Sequence, residues 1–97
     1  MASYFLASSA EILLCMKKEP NEKNRVEMAK TFFGSKWLLA SMVQDALKMF
    51  RIETSKLEFA KFAYDRTVDK QNYFKVFEMF TASNSKKVLN DFMKTHP

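Results

Sequence analysis

Glycine and proline are scarce in this chain of 97 residues, which contains one glycine and two prolines. Sheets joined by tight turns use glycine at frequent intervals, because those turns need its backbone freedom. Phosphate-binding loops of nucleotide enzymes also need several glycines within a short segment. The single glycine, Gly34, therefore argues against a β-rich fold and excludes such loops. An all-α fold is the simplest prediction.

Cysteine and histidine each occur once, as Cys15 and His96. One cysteine cannot form a disulfide within the chain, and we expect Cys15 to be buried on a helix as a small apolar side chain. A single histidine excludes histidine-based catalytic triads and the usual zinc ligand sets. We therefore predict no catalytic residue, no metal site and no cofactor. We expect a protein that is not an enzyme and has no small-molecule substrate.

Two carboxylates four positions apart, Asp65 and Asp69, are the best remaining candidates for cation binding or acid–base chemistry. The cations Lys61, Arg66 and Lys70 lie close in sequence and oppose metal binding. We therefore favour a structural interpretation, in which one carboxylate is a helix-end charge and Asp69 caps the following helix.

Long apolar runs are also missing. No segment approaches the ~18 consecutive apolar residues that a membrane-spanning helix requires. The first part of the chain is apolar, but no Lys or Arg precedes it, and Ser8, Ser9 and Glu11 interrupt it, so it makes a poor secretion signal. We expect a soluble, cytoplasmic protein.

Apolar residues are plentiful, at 47% of the chain, and include ten phenylalanines and seven methionines. A single domain of this length can bury a core without metals or disulfides. Apolar residues at helical spacing predict six short helices, near residues 4–17, 21–33, 41–50, 54–64, 69–80 and 84–95. Gly34 is a natural left-handed helix stop, and capping boxes are predicted for Ser41 with Gln44 and for Ser55 with Glu58.

Two segments of the chain resemble each other. V-E-M-A-K at residues 26–30 recurs 31 positions later as L-E-F-A-K at residues 57–61. Further matches follow at a spacing of 30 positions: Val43, Ala46, Leu47, Met49 and Phe50 correspond to Tyr73, Val76, Phe77, Met79 and Phe80. We interpret residues 21–50 and 54–80 as two copies of one helical hairpin, flanked by single helices at residues 1–18 and 84–95. This organisation predicts an all-α compact bundle or a short superhelical stack of about six helices in one domain, residues 1–97. A death-fold-like bundle is the alternative.

Several of these residues also fit a known sequence pattern: Arg25 followed by Ala29-Lys30, then L-E-F-A-K-F-A-Y at residues 57–64, then Asp69 with Asn72-Tyr73. This combination resembles domain-of-unknown-function family 4476, from about Asn21 to the C-terminal helix. The resemblance implies a compact helical domain, often one part of a longer chain, with no established activity. It supplies no catalytic residues.

The chain carries a formal net charge of +5 and has a pI near 9.4. Basic residues are spread along the sequence, and the longest runs are pairs. Arg66, Lys70 and Lys75 alternate with aromatic residues and are the candidate contacts for an acidic partner. Binding to nucleic acid or an anionic membrane is therefore an alternative function.

The apolar residues outside the main helical stripes exceed what six short helices need for a core. Trp37, Met42, Phe62 and Phe74 are the candidate partner-binding residues among them, since exposed aromatic and methionine side chains are enriched at protein interfaces. Packing between layers explains such residues equally well, and Trp37 would then seal one end of the core. The leading hypothesis is a protein-interaction or adaptor domain that binds a protein partner or a second copy of itself.

Overall fold

The computed structural model describes residues 2–96, with side-chain surroundings from residue 10 onward. Met1 and Pro97, the ends of the predicted domain, lie outside the described residues. The described chain forms five α-helices and one 3₁₀ helix, η1: α1 Ala2–Lys18, α2 Glu22–Phe33, α3 Ala40–Leu47, α4 Glu53–Tyr64, η1 Lys70–Met79 and α5 Ser83–Thr95. The predicted all-α class with six short helices is confirmed. The fifth helix differs from expectation in being a 3₁₀ helix.

Four helices lie side by side in chain order, with α1 against α2, α2 against α4 and α4 against α5. Helix α3 packs against η1, and both of these elements also contact α4. The resulting body is flat, with extents of 34 × 30 × 18 Å. Helix α4 is therefore the central element, since it touches α2, α3, η1 and α5.

Aromatic side chains from both hairpins meet around α4. Phe59 is fully buried, and its ring centroid lies 6.0 Å from that of Phe33 and 5.8 Å from that of Phe50. Tyr73 of η1 is also fully buried and donates its hydroxyl to the Ala60 carbonyl at 2.6 Å. Burial raises the pKa of the Tyr73 hydroxyl, which keeps it protonated as a donor.

The connectors within the two hairpins run beside each other. Leu38 and Thr67 form a parallel bridge, in which the Leu38 N–H donates to the Arg66 carbonyl at 2.8 Å and the Val68 N–H donates to the Leu38 carbonyl at 2.9 Å. The side chains of Leu38 and Thr67 are buried. The bridge joins the two hairpins at equivalent turns.

A glutamate at the start of the first helix closes each hairpin. Glu22 Oε2 accepts the backbone N–H groups of Arg51 and Ile52 at 2.8 and 2.9 Å. Glu53 Oε1 accepts the backbone N–H groups following η1, at residues 81 and 82, at 3.2 and 3.0 Å. The glutamates are 31 positions apart and their partners are 30 positions apart, which are the spacings of the sequence repeat.

A cation three positions after each glutamate completes the same closure. Arg25 Nη1 donates to the Met49 carbonyl, and Lys56 Nζ donates to the Met79 carbonyl at 3.1 Å. Each cation lies 3.9 Å from the carboxylate of its own glutamate. The two hairpins therefore share both sequence positions and the contacts made at those positions.

Gly34 differs from the prediction in its backbone conformation. It ends α2 at φ −66° and ψ −25°, which is right-handed helical geometry, so the predicted left-handed stop is wrong. The space around it gives a different reason for glycine. A Cβ at this position would lie 2.5 Å from the Lys30 carbonyl oxygen and 3.3 Å from the Phe62 ring.

The predicted capping boxes are also wrong, because tertiary contacts replace them. Helix α3 starts at Ala40, whose N–H donates to Asp69 Oδ1 of the other hairpin at 2.8 Å. Gln44 donates its side-chain amide to the Lys75 carbonyl at 3.0 Å. Helix α4 starts at Glu53, with no side-chain cap at its N-cap residue, and Glu58 pairs with Lys30.

Cys15 is exposed on α1, which corrects the expectation that it is buried. Helix α1 turns a different face inward, where Ile12 and Met16 are buried and Leu13 packs against the core. Leu14 and Cys15 lie two and three positions after Ile12, outside the i, i+4 row of Ile12 and Met16, and both are exposed.

Candidate functional site

Three exposed apolar side chains surround the paired connectors. Trp37, Leu39 and Val68 are exposed to 72%, 45% and 60%, and they are neighbours in sequence of the bridged pair Leu38 and Thr67. Side chains alternate sides along extended backbone, so burial of the bridged pair turns its neighbours outward. We call Trp37, Leu39 and Val68 the connector patch.

A recess of about 490 Å³ lies beside Trp37, lined by Gly34, Ser35, Lys36, Trp37, Asp65 and Arg66. Arg66 is fixed in its wall, since its Nε donates to the Gly34 carbonyl at 2.7 Å and its Nη1 donates to the Phe62 carbonyl at 3.1 Å. The guanidinium carbon also lies 4.1 Å from the centre of the Phe62 ring. Arg66 therefore holds the turn after α2 against α4 while it lines the recess.

The four predicted partner-binding residues fall into two groups. Trp37 and Phe74 are exposed, to 72% and 64%. Met42 and Phe62 are half-buried and pack against the core. Phe62 also lies beneath Arg66. The structure thus leaves Trp37 and Phe74 available for contact, whereas Met42 and Phe62 are largely occupied by packing.

The three predicted contacts for an acidic partner differ in whether their charged groups are already hydrogen-bonded within the protein. Arg66 is bound to carbonyls as described above. Lys70 donates its Nζ to the Thr67 carbonyl at 3.0 Å and lies 5.3 Å from the Tyr64 ring centre. Lys75 is exposed, with its Nζ 6.0 Å from the ring centre of Phe74.

Asp69 is occupied by structural hydrogen bonds. Its carboxylate accepts the Ala40 N–H and, at 3.0 Å, the Asn72 side-chain amide, while Asp65 is exposed. Burial raises the pKa of Asp69, but the hydrogen bonds from Asn72 and Ala40 outweigh it, so the pKa lies below its ordinary value. Across residues 2–96, no three His, Cys, Asp or Glu side chains gather in a metal-binding arrangement.

A second recess, of about 180 Å³, is lined by Lys17, Arg25, Lys48, Met49 and Arg51. We call it the basic recess, because four of these five residues are cations. No sequence pattern predicts this recess, since its residues come from the end of α1, from α2 and from the segment that follows α3. The signal in the sequence is a difference between the two repeated segments. Lys48 and Arg51 of the first segment correspond to the acidic and uncharged residues Glu78 and Thr81 of the second.

These features define the protein as a small all-α domain in which the segment of α2 and α3 and the segment of α4 and η1 make matching closing contacts. The sequence pattern of the family described as "Domain of unknown function (DUF4476)" matches residues 7–93, so the chain belongs to that family. The resemblance noted in the sequence is thereby confirmed. No curated protein and no solved structure matches the chain. None of the helices in residues 2–96 has the length and apolar character needed to cross a bilayer.

Proposed function

We propose that this domain is a non-enzymatic protein-interaction module that binds a protein partner through the connector patch. The observation that carries the proposal is the exposure of Trp37, Leu39 and Val68 around one paired turn. Tryptophan supplies a large apolar area with few rotatable bonds, and it is enriched among the residues that dominate binding energy at interfaces.

The surroundings of the patch support this function. The recess beside Trp37 offers space for a partner side chain, and its fixed Arg66 guanidinium supplies a charged wall. The patch is mounted on the backbone bridge between the hairpins, so its three side chains start from a fixed main chain. A preformed surface of this kind binds with a lower entropy cost than a mobile loop.

The experiment compares affinity capture from the source lysate by the wild type, a Trp37→Ala, Val68→Ser variant and a Leu14→Ser control. Leu14 is 53% exposed on α1 and outside the patch, so its substitution removes exposed apolar surface of a similar kind. We expect the same proteins to be retained by the wild type and the control and to be lost from the patch variant. Melting temperatures should show that all three proteins are folded.

Nuclease and salt distinguish the two classes of partner. Capture through an apolar patch should survive nuclease and high salt, whereas phosphate-driven binding weakens steeply as salt rises. Recovery dominated by nucleic acid and lost in salt would support the alternative function instead. Sedimentation of the purified protein tests self-association, which the same patch variant should abolish if the partner is a second copy.

A further inference from the structure

The basic recess has a charged floor that the protein holds in place. Arg25 is 6% exposed, and its guanidinium donates through Nη1 to the Met49 carbonyl and through Nε and Nη2 to the Glu19 carbonyl. Glu22 lies 3.9 Å away, but its carboxylate also accepts two backbone N–H groups.

Exposed cations form the rim of the recess. Lys17, Lys48 and Arg51 are all exposed, and none of the five lining residues is acidic. Lys48 of the rim pairs with the Asp45 carboxylate, whose Oδ1 lies 3.7 Å from Lys48 Nζ. Both of those side chains are more than half exposed, and exposed ion pairs of this kind are weak. An incoming anion can therefore take Lys48 from Asp45 at little cost.

Cations near helix C-termini stabilise the helix by themselves, so the rim cations could serve the fold alone. The second hairpin supplies the comparison. There Lys56 and Met79 make the contact that Arg25 and Met49 make in the first hairpin.

The outer positions of that second closure carry no cation. Glu78 stands where the first hairpin has Lys48, and Thr81 stands where it has Arg51, each at a spacing of 30 positions. The same closure forms around a glutamate and a threonine. The closure therefore does not require the cations Lys48 and Arg51 at the rim of the recess.

We propose that the basic recess binds a phosphoryl group, carried by a small molecule or by a lipid headgroup. A phosphoryl group carries up to two negative charges and several acceptor oxygens, which suits one fixed guanidinium and three exposed cations. The proposal is independent of the connector patch, so a Trp37→Ala variant should bind phosphoryl ligands as the wild type does.

The test uses a double variant, Lys48→Glu with Arg51→Thr, which installs the residues of the second hairpin. Its control is Lys86→Glu with Lys94→Thr, which makes the same change in net charge at two exposed positions of α5. Comparison of the two separates binding in the recess from general attraction to a basic protein.

Pyrophosphate is titrated into each ¹⁵N-labelled protein at low ionic strength, and amide chemical shifts are followed. In the wild type we expect saturable shifts at residues 17, 25 and 48–52. The Lys48→Glu, Arg51→Thr variant, which we call the recess variant, should bind pyrophosphate at least about tenfold more weakly. The control variant should bind it like the wild type. Equal weakening in both variants, or shifts spread evenly over the surface, would overturn the proposal.

A second measurement separates the two sources of the phosphoryl group. If the wild type co-sediments with vesicles containing phosphatidic acid but not with vesicles of neutral lipid, and the recess variant does not co-sediment with either, the site binds a lipid headgroup. Pyrophosphate binding without vesicle binding assigns the site to a small molecule. If the double variant is unfolded, the single Lys48→Glu variant with a Lys86→Glu control gives the same comparison.

Discussion

The two hairpins share their closure and differ in what surrounds it. In both, a glutamate at the start of the first helix accepts two backbone N–H groups after the second helix, and a cation one turn later binds a methionine carbonyl. Around this shared frame, the first hairpin presents Lys48 and Arg51, whereas the second presents Glu78 and Thr81. The closure therefore forms whether the positions around it carry Lys and Arg or Glu and Thr.

The two hairpins also differ in how deeply equivalent side chains are buried. Helix α4 of the second hairpin touches helices on several sides, whereas α2 of the first hairpin lies between α1 and α4. Phe59 and Met28 occupy equivalent positions, 31 apart, yet Phe59 is fully buried and Met28 is only half-buried. Equivalent positions therefore make unequal contributions to stability.

The largest expected effect is a loss of stability on truncation of Phe59, which tests whether the two equivalent positions contribute unequally. Phe59→Ala should lower the free energy of unfolding by about 3–5 kcal/mol, because it leaves a cavity among aromatic rings. Met28→Ala, the matched substitution in the first hairpin, should cost less than half as much. Urea unfolding of both variants measures the difference. Equal losses would show that the second hairpin is not the centre of the core.

A smaller loss of stability is expected at the turn after α2, which has a glycine where the turn after α4 has an aspartate. Gly34 and Asp65 are 31 positions apart and have nearly the same backbone angles, φ −66° and −64°. Gly34→Ala should destabilise the protein by about 1–3 kcal/mol, because the added methyl group meets the Lys30 carbonyl and the Phe62 ring.

Asp65→Ala is the control for this prediction. Asp65 is exposed, so the substitution should change stability by no more than about 0.5 kcal/mol. Thermal unfolding of the two variants checks both values. If Gly34→Ala is as well tolerated as Asp65→Ala, close approach to the Lys30 carbonyl and the Phe62 ring is not the reason for the glycine.

The smallest effect concerns the pH dependence of the second closure. Burial raises the pKa of Glu53, but the hydrogen bonds from the Ala82 and Thr81 N–H groups and from Ser85 outweigh it, so the pKa lies below 4.5. A depressed pKa in the folded state stabilises the protein above pH 4.5, and this stabilisation is lost as pH falls through the folded-state value. Stability should therefore decrease on acidification below about pH 4.5.

Glu53→Gln should flatten that decrease and lower stability at neutral pH by about 1–2 kcal/mol, since the charge-assisted hydrogen bonds become neutral ones. Glu27→Gln, at an exposed position of α2, is the control and should leave the profile unchanged. Denaturant unfolding at a series of pH values gives both slopes. An unchanged slope in Glu53→Gln would assign the acid sensitivity to other carboxylates, of which Asp69 is the next candidate.

The helices were predictable to different degrees. The helical spacing of apolar residues placed α2, α4 and α5 within a few residues of their observed ends, because each buries one continuous stripe. The groups that satisfy the backbone N–H groups at helix starts were less predictable than the positions of those starts. Asp69 satisfies the Ala40 N–H from 29 positions away, and no local pattern contains that partner. The same limit applies to the recesses, whose residues are brought together only by packing.

The sequence by itself determined the all-α class, the repeated hairpin spacing and the family, because each depends on residue types at short or regular intervals. Tertiary structure alone decided which cations converge, which aromatic side chains are exposed and why Gly34 is a glycine. The physical reason is distance along the chain. Helix formation is governed by neighbours within about four residues, whereas the bridge, the closures and both recesses join residues that are roughly 25–30 positions apart or come from three separate elements.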